Sequence, residues 1–158
     1  MDSGRFGRGG LGALLLAVLA LVWAGMVVGV SGLATPVKFA APSLTLPVAL
    51  DVGRVTFGLF SQVEWGLALA LVVLAALAGL RLLWLAVLVA VVLVVAQATW
   101  LLPILDARIA AVIAGNPQPA TFHHAAYAVG EAVKLAALLA TGIGAMAGGM
   151  ASRAGRRR

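Results

Sequence analysis

His124, Tyr127, Glu131 and Lys134 recur at spacings of 3, 4 and 3 within HHAAYAVGEAVK. On a helix those spacings put an imidazole, a phenol, a carboxylate and an ammonium on one stripe. Such a stripe suits a proton or substrate relay, or an ion-paired lock between helices. His123 and His124 are the only imidazoles. As helix neighbours they point about 100° apart, so they do not chelate one ion together as an i,i+4 pair does. Each remains a weak candidate for a single axial ligand to haem or copper. Serine, histidine and acid do not combine in a nucleophile context, and neither a phosphate-cradling glycine loop nor an HExxH pattern occurs. With no cysteine in the chain, disulfides, thiolate metal sites and cysteine nucleophiles are excluded. Catalysis is therefore the less expected class.

The elements around that stripe are membrane spans. Of 158 residues, 63% are hydrophobic and 10% charged, far from the quarter or so of charged residues usual in a soluble domain. A hydrocarbon core about 30 Å thick takes about 20 helical residues, and four apolar runs qualify: residues 11–32, 63–80, 82–102 and 125–150. The expected fold is all-α, a single integral membrane domain over residues 1–158. It is read as an antiparallel four-helix bundle with two longer outer loops at about 33–62 and 103–124. Pro36, Pro42 and Pro47 break the first loop early. After Pro47 the pattern turns helical, as an interfacial helix or an outward extension of the second span. Ile104 to Ile113 predicts a short amphipathic helix in the second loop, ended by Gly115, Asn116 and Pro117, with Thr121 capping the last span.

Charge sets the orientation. Arg5, Arg8, Arg81, Arg153, Arg156, Arg157 and Arg158 fall on one side with only Asp2 against them. Lys38, Arg54, Arg108 and Lys134 on the other side are matched by Asp51, Glu64, Asp106 and Glu131. The positive-inside rule puts both termini in the cytoplasm of a bacterial inner membrane. The formal net charge of +6 is thus a topology signal, not a nucleic-acid footprint. The arginine tail anchors orientation and meets anionic lipid. The first apolar run exceeds a signal-peptide core of about 7–15 residues and is expected to be retained as a span. Trp65, Trp84 and Trp100 mark the interfaces, and Gly25-xxx-Gly29 and Gly144-xxx-Gly148 offer smooth faces for helix approach.

Helical rise places the polar groups in depth. Counted from Arg81 at about 1.5 Å per residue, Glu64 and Gln97 both lie roughly 25 Å away, and Lys134 lies roughly 28 Å from Arg153. Three spans thus bring a polar group to one level. The candidate layer is Glu64, Gln97, Tyr127, Glu131, Lys134, Arg54 and Asp51. Its expected pairings are Glu64 with Lys134, and Arg54 or Arg108 with Glu131. Ser31, Ser61 and Thr99 read as hydroxyls bonded to their own helix backbone.

The run PVKFAAPSLTLPVALDVGRVTFGLFSQVEW, then two spans and HHAAYAVGEAVKLAALL, carries a likeness in Lys38, Phe39, Gly53, Arg54, Phe57, Glu64 and the stripe. It resembles a group of small bacterial four-helix membrane proteins, related to the cisplatin-resistance-associated transmembrane family and remotely to the copper-resistance D membrane domain. The resemblance implies four antiparallel helices and a part in export, metal or haem handling. The histidine- and methionine-rich patches expected of copper handling are missing.

Three functions follow as expectations. The favoured one is a structural or accessory subunit without catalysis, homo-oligomeric or held in a larger membrane complex. The alternatives are a small-molecule or ion carrier using the polar layer, and a haem or copper accessory protein using His123 or His124.

Overall fold

The computed structural model describes residues 3–116 and 118–154, with side chains described for residues 10–116 and 118–150. Asp2, Arg156, Arg157, Arg158 and the side chains of Arg5, Arg8 and Arg153 lie outside the described residues, and with them the basic tail. The chain is all-helical, with no strand among the described residues. Four segments are long and apolar enough to cross a membrane: Gly10–Ala40, Leu46–Ala78, Arg81–Ile113 and His123–Met150.

These segments are built from six α-helices and shorter wound pieces. Helix α1 (Ser3–Val27) runs through a π-helical segment (Val28–Ala34) into α2 (Thr35–Ala40). Helix α3 (Leu46–Ala78) is one element of 33 residues. A 3-10 turn (Arg81–Leu83) leads to α4 (Trp84–Ala96), a second π-helical segment (Gln97–Leu101) and α5 (Leu102–Ile113). Helix α6 (His123–Ala154) closes the chain.

The expected outer loops at 33–62 and 103–124 are mostly helix, leaving connections at 41–45 and 114–122. Proline placement explains the difference. Pro36, Pro47 and Pro103 each occupy the first or second position of a helix, where the missing N–H costs little. Pro47 thus starts α3 instead of ending a loop. Pro36 and Pro103 each stand two residues beyond the end of a π-helical segment. There the wider winding accommodates a residue that removes a hydrogen bond and crowds the preceding turn. The hydrogen bond from the Thr35 amide to the Val30 carbonyl, five residues back, is the signature of that winding. So is the one from Leu102 to Gln97. At the other end Gly79, at φ +67°, stops α3 in the left-handed conformation that suits glycine. Arg81 then starts the third long segment. That end is called the turn end below, and the end bearing connections 41–45 and 114–122 the loop end.

Helix α1 packs on α3 and α6, and α4 packs on the same two, so the four form a ring around one core. Trp23, Leu16, Leu71, Val87 and Leu138 fill that core with almost no exposure, interleaved with Ala20, Ala75, Ala90 and Ala145. Alanine and glycine let helix backbones approach closely, which is how van der Waals contact holds helices together where lipid removes the hydrophobic drive. A β-carbon at Gly12 would sit 3.2 Å from the Ala78 backbone nitrogen. Gly144 and Gly148 meet the Leu83 and Leu80 side chains at 2.6 and 3.0 Å in the same sense. Gly25 and Gly29 have nothing within 4 Å of an added β-carbon, so that expected contact face is not used. The outside is leucine and valine, with Leu69, Leu77, Leu82 and Val92 each more than half exposed.

Candidate functional site

The charged groups buried in the core, among the described residues, gather at one level. Lys134 of α6 is 0% exposed there, yet its ammonium is fully engaged. Its Nζ lies 2.5 Å from Glu64 Oε1 and 2.6 Å from Glu131 Oε1, and donates to Gln97 Oε1 at 2.8 Å. A lysine has three N–H donors, and all three have an acceptor. Around it the chain builds a second ring of bonds. Gln97 Nε2 donates to Glu131 Oε1 at 2.9 Å and to the Tyr127 carbonyl at 3.3 Å. Ser31 Oγ donates to Glu131 Oε2 at 2.5 Å, and Trp23 Nε1 to Glu64 Oε1 at 3.1 Å. Every one of the four long segments contributes a member: Trp23 and Ser31, Glu64, Gln97, and Glu131 with Lys134.

The backbone explains why these particular side chains meet. Ser31 lies inside the first π-helical segment and Gln97 opens the second. Such wide turns change which face a side chain presents and often mark functional positions. Glu131 and Lys134 are i,i+3 on α6 and so share a face. Glu64 lies on the buried stripe of α3 with Phe60, Ala68, Leu71 and Ala75.

The expected layer is therefore brought together in part. Glu64, Gln97, Glu131 and Lys134 form one cluster, and the expected Glu64–Lys134 pair is present. Glu131 pairs with Lys134, Gln97 and Ser31, not with Arg54 or Arg108. Arg54 instead closes on Asp51 of its own helix at 2.6 Å, on the exposed surface. Ten residues before Glu64, Arg54 stands about 15 Å nearer the loop end at a rise of about 1.5 Å per residue. Arg108 donates to the Pro119 carbonyl. Ser31 serves the cluster, where a backbone bond was expected; Thr99 does bond its own helix, at the Val95 carbonyl. Trp23 escaped the sequence reading altogether, because a tryptophan mid-span reads as apolar bulk. The downstream prolines were the available signal for Ser31 and Gln97: both hydroxyl and amide sit in the turns that Pro36 and Pro103 force wide.

Tyr127 packs edge-on against Phe57 with ring centroids 5.3 Å apart. It is 6% exposed, and its hydroxyl has no hydrogen-bond partner. Two adjoining cavities of about 280 Å³ each meet at this residue. One reaches Ser31 and Glu131 of the cluster. The other opens at the loop end between Lys38, Phe57, Leu105, Ile109 and His124. His123 Nδ1 lies 3.1 Å from Thr121 Oγ1, and its ring stacks on Phe122. Thr121 thus engages a side chain where a helix cap was expected. Among the described residues no three His, Asp or Glu side chains converge as a metal site.

Comparison of the chain with protein-family models, with curated proteins and with solved structures finds no match.

Formally the cluster holds two carboxylates against one ammonium. Either carboxylate alone neutralises Lys134, and an amide keeps an acceptor oxygen for its donors. Glu64→Gln and Glu131→Gln are each expected to stay within about 1 kcal/mol of the parent, since geometry survives and surplus charge is removed. The double variant leaves a buried ammonium with no counter-charge. Its loss is expected to exceed the sum of the singles by about 0.5–3 kcal/mol. Unfolding in mixed micelles measures this; additive effects would show that the two carboxylates do not share one lysine.

Proposed function

We propose that this chain is a non-catalytic integral membrane protein whose buried ion cluster clamps four antiparallel helices, and that it serves as a structural or accessory subunit. The observation that carries this reading is the saturation of Lys134: three donors, three acceptors, on three of the four segments. A catalytic or transporting lysine needs a free donor or a route for its proton. A clamp needs the opposite. Gly12 beside Ala78, and Gly148 beside Leu80, support neighbouring helices running in opposite directions. The charge asymmetry of the sequence supports cytoplasmic termini in a bacterial inner membrane. Within this reading the likeness to the four-helix relatives of the cisplatin-resistance-associated family is a likeness of architecture.

The test has two parts, helped by the absence of native cysteine. An impermeant maleimide added to intact cells should label Gln118→Cys but reach Leu82→Cys only after permeabilisation. Blue-native electrophoresis with crosslinking should then find the chain in an assembly larger than a single copy. A strictly monomeric protein would sink the subunit reading.

One observation favours a second reading, a small-molecule or ion carrier: a cavity reaches Ser31 and Glu131. In proteoliposomes that reading expects solute or proton flux which Glu131→Gln abolishes.

A further inference from the structure

The loop-end cavity has its own chemistry, separate from the clamp. Its wall is apolar, built from Phe39, Phe57, Leu105 and Ile109. Its charge is not balanced: Lys38, Arg54 and Arg108 line it against Asp106 alone. Arg54 is spoken for by Asp51, and Arg108 by a backbone carbonyl. Lys38 is not. Its ammonium lies 5.0 Å from the centre of the Phe39 ring and 6.0 Å from that of Phe57, with no carboxylate in ion-pair reach among the described residues. Tyr127 packs on the same Phe57 ring, buried, its hydroxyl unpartnered. Leaving a buried hydroxyl unpaired costs free energy that a ligand acceptor would recover. Two residues whose donors lack acceptors therefore line one cavity, both in contact with Phe57.

Gly53 shows how closely Lys38 is held there. A β-carbon at that position would collide with the lysine Nζ, so the glycine leaves room for the ammonium against α3.

We propose that this cavity binds a single-chain anionic amphiphile drawn from the surrounding bilayer, with its acidic headgroup between Lys38 and the Tyr127 hydroxyl. Lys38 supplies the charge and Tyr127 a directional hydrogen bond, and a charge-assisted pair of this kind is the strong class of contact. The hydrocarbon chain lies along Phe57, Leu105 and Ile109. A volume of about 280 Å³ falls just below the usual range of small-ligand sites, roughly 300–1,000 Å³, so the cavity takes the headgroup and part of one chain and leaves the rest of the chain to the bilayer. The net positive lining selects an acid over an alcohol of the same length.

The experiment uses the full chain in nanodiscs of zwitterionic lipid, with radiolabelled oleate as the probe and empty nanodiscs as the blank. Saturable binding of about one oleate per chain is expected, uncompeted by oleyl alcohol. Lys38→Gln and Tyr127→Phe should each weaken it about tenfold or more, the scale of one lost charge-assisted or buried hydrogen bond. Leu69→Ala, on the exposed outer face and outside the cavity, should bind as the parent does. Thermal melting of each variant shows that the fold is kept, and Lys38→Arg should restore binding if charge is what matters. Uptake equal to empty nanodiscs overturns the proposal. So does equal competition by oleyl alcohol, or unchanged affinity in folded Lys38→Gln and Tyr127→Phe.

Discussion

Lys134→Met is expected to cost the folded protein about 3–5 kcal/mol, the largest loss any single substitution here should cause. Methionine fills much the same volume, so the loss is electrostatic and not a cavity effect. Glu64 and Glu131, at 2% and 5% exposure, would be left facing one another with no cation between them. Removing one partner of a buried ion pair is far worse than removing both, because the survivor keeps its desolvation cost without its compensation. Gln97 would also lose the donor to its Oε1. The companion result makes the argument specific. Adding Glu64→Gln and Glu131→Gln to Lys134→Met should recover much of the stability, since no charge then remains buried. Reversible unfolding in mixed micelles, or steric trapping in bicelles, reads both numbers. A loss under about 1 kcal/mol for Lys134→Met would mean that the ammonium is not at the centre of the fold.

Gly12→Leu is the second large effect, about 1–3 kcal/mol by overpacking. Its distinguishing feature is what the new side chain meets. A β-carbon there comes within 3.3 Å of the Ala78 α-carbon and the Leu77 carbonyl carbon as well as the Ala78 nitrogen. Backbone, even in the last turn of α3, cannot turn aside as the Leu83 side chain near Gly144 can. Helices α1 and α3 must separate, and Ala75 and Leu16 of the core part with them. Gly25→Ala and Gly29→Ala provide the control: with open space around both, they should be neutral or slightly stabilising. If Gly12→Leu and Gly25→Ala behave alike, α1 and α3 do not meet where the glycine places them.

The four long helices were legible because hydropathy over some 20 residues is a strong, local signal. Their true lengths were not. Proline was read as a breaker at 36 and 47, whereas both residues sit at helix starts, where the same chemistry is harmless. Within the site, Glu64, Gln97, Glu131 and Lys134 could be found because charge and amide stand out against an apolar background, and helical rise put them at one depth. Pairing was harder. Arg54 and Arg108 were the nearest free cations by count, but depth along α3 separates Arg54 from Glu131, and a loop carbonyl claims Arg108. Ser31 was harder to place for a different reason. Which way a side chain faces after a wide turn depends on the turn, and a strict 3.6-residue count does not contain it.

Those wide turns carry one more consequence. Each makes its helix behave as two rods joined with a rotational offset, because an extra residue in one turn advances everything beyond it by about 100°. Two neighbouring positions, one on each side of Val28–Ala34 or of Gln97–Leu101, thus obey different phase rules. The first and third long segments thus change phase between the half toward Gly79 and the half toward Lys38, while α3 and α6 run through both without a break. A one-residue deletion in either segment would restore ordinary winding, keep the span long enough, and swing the whole loop end of that helix to a new bearing.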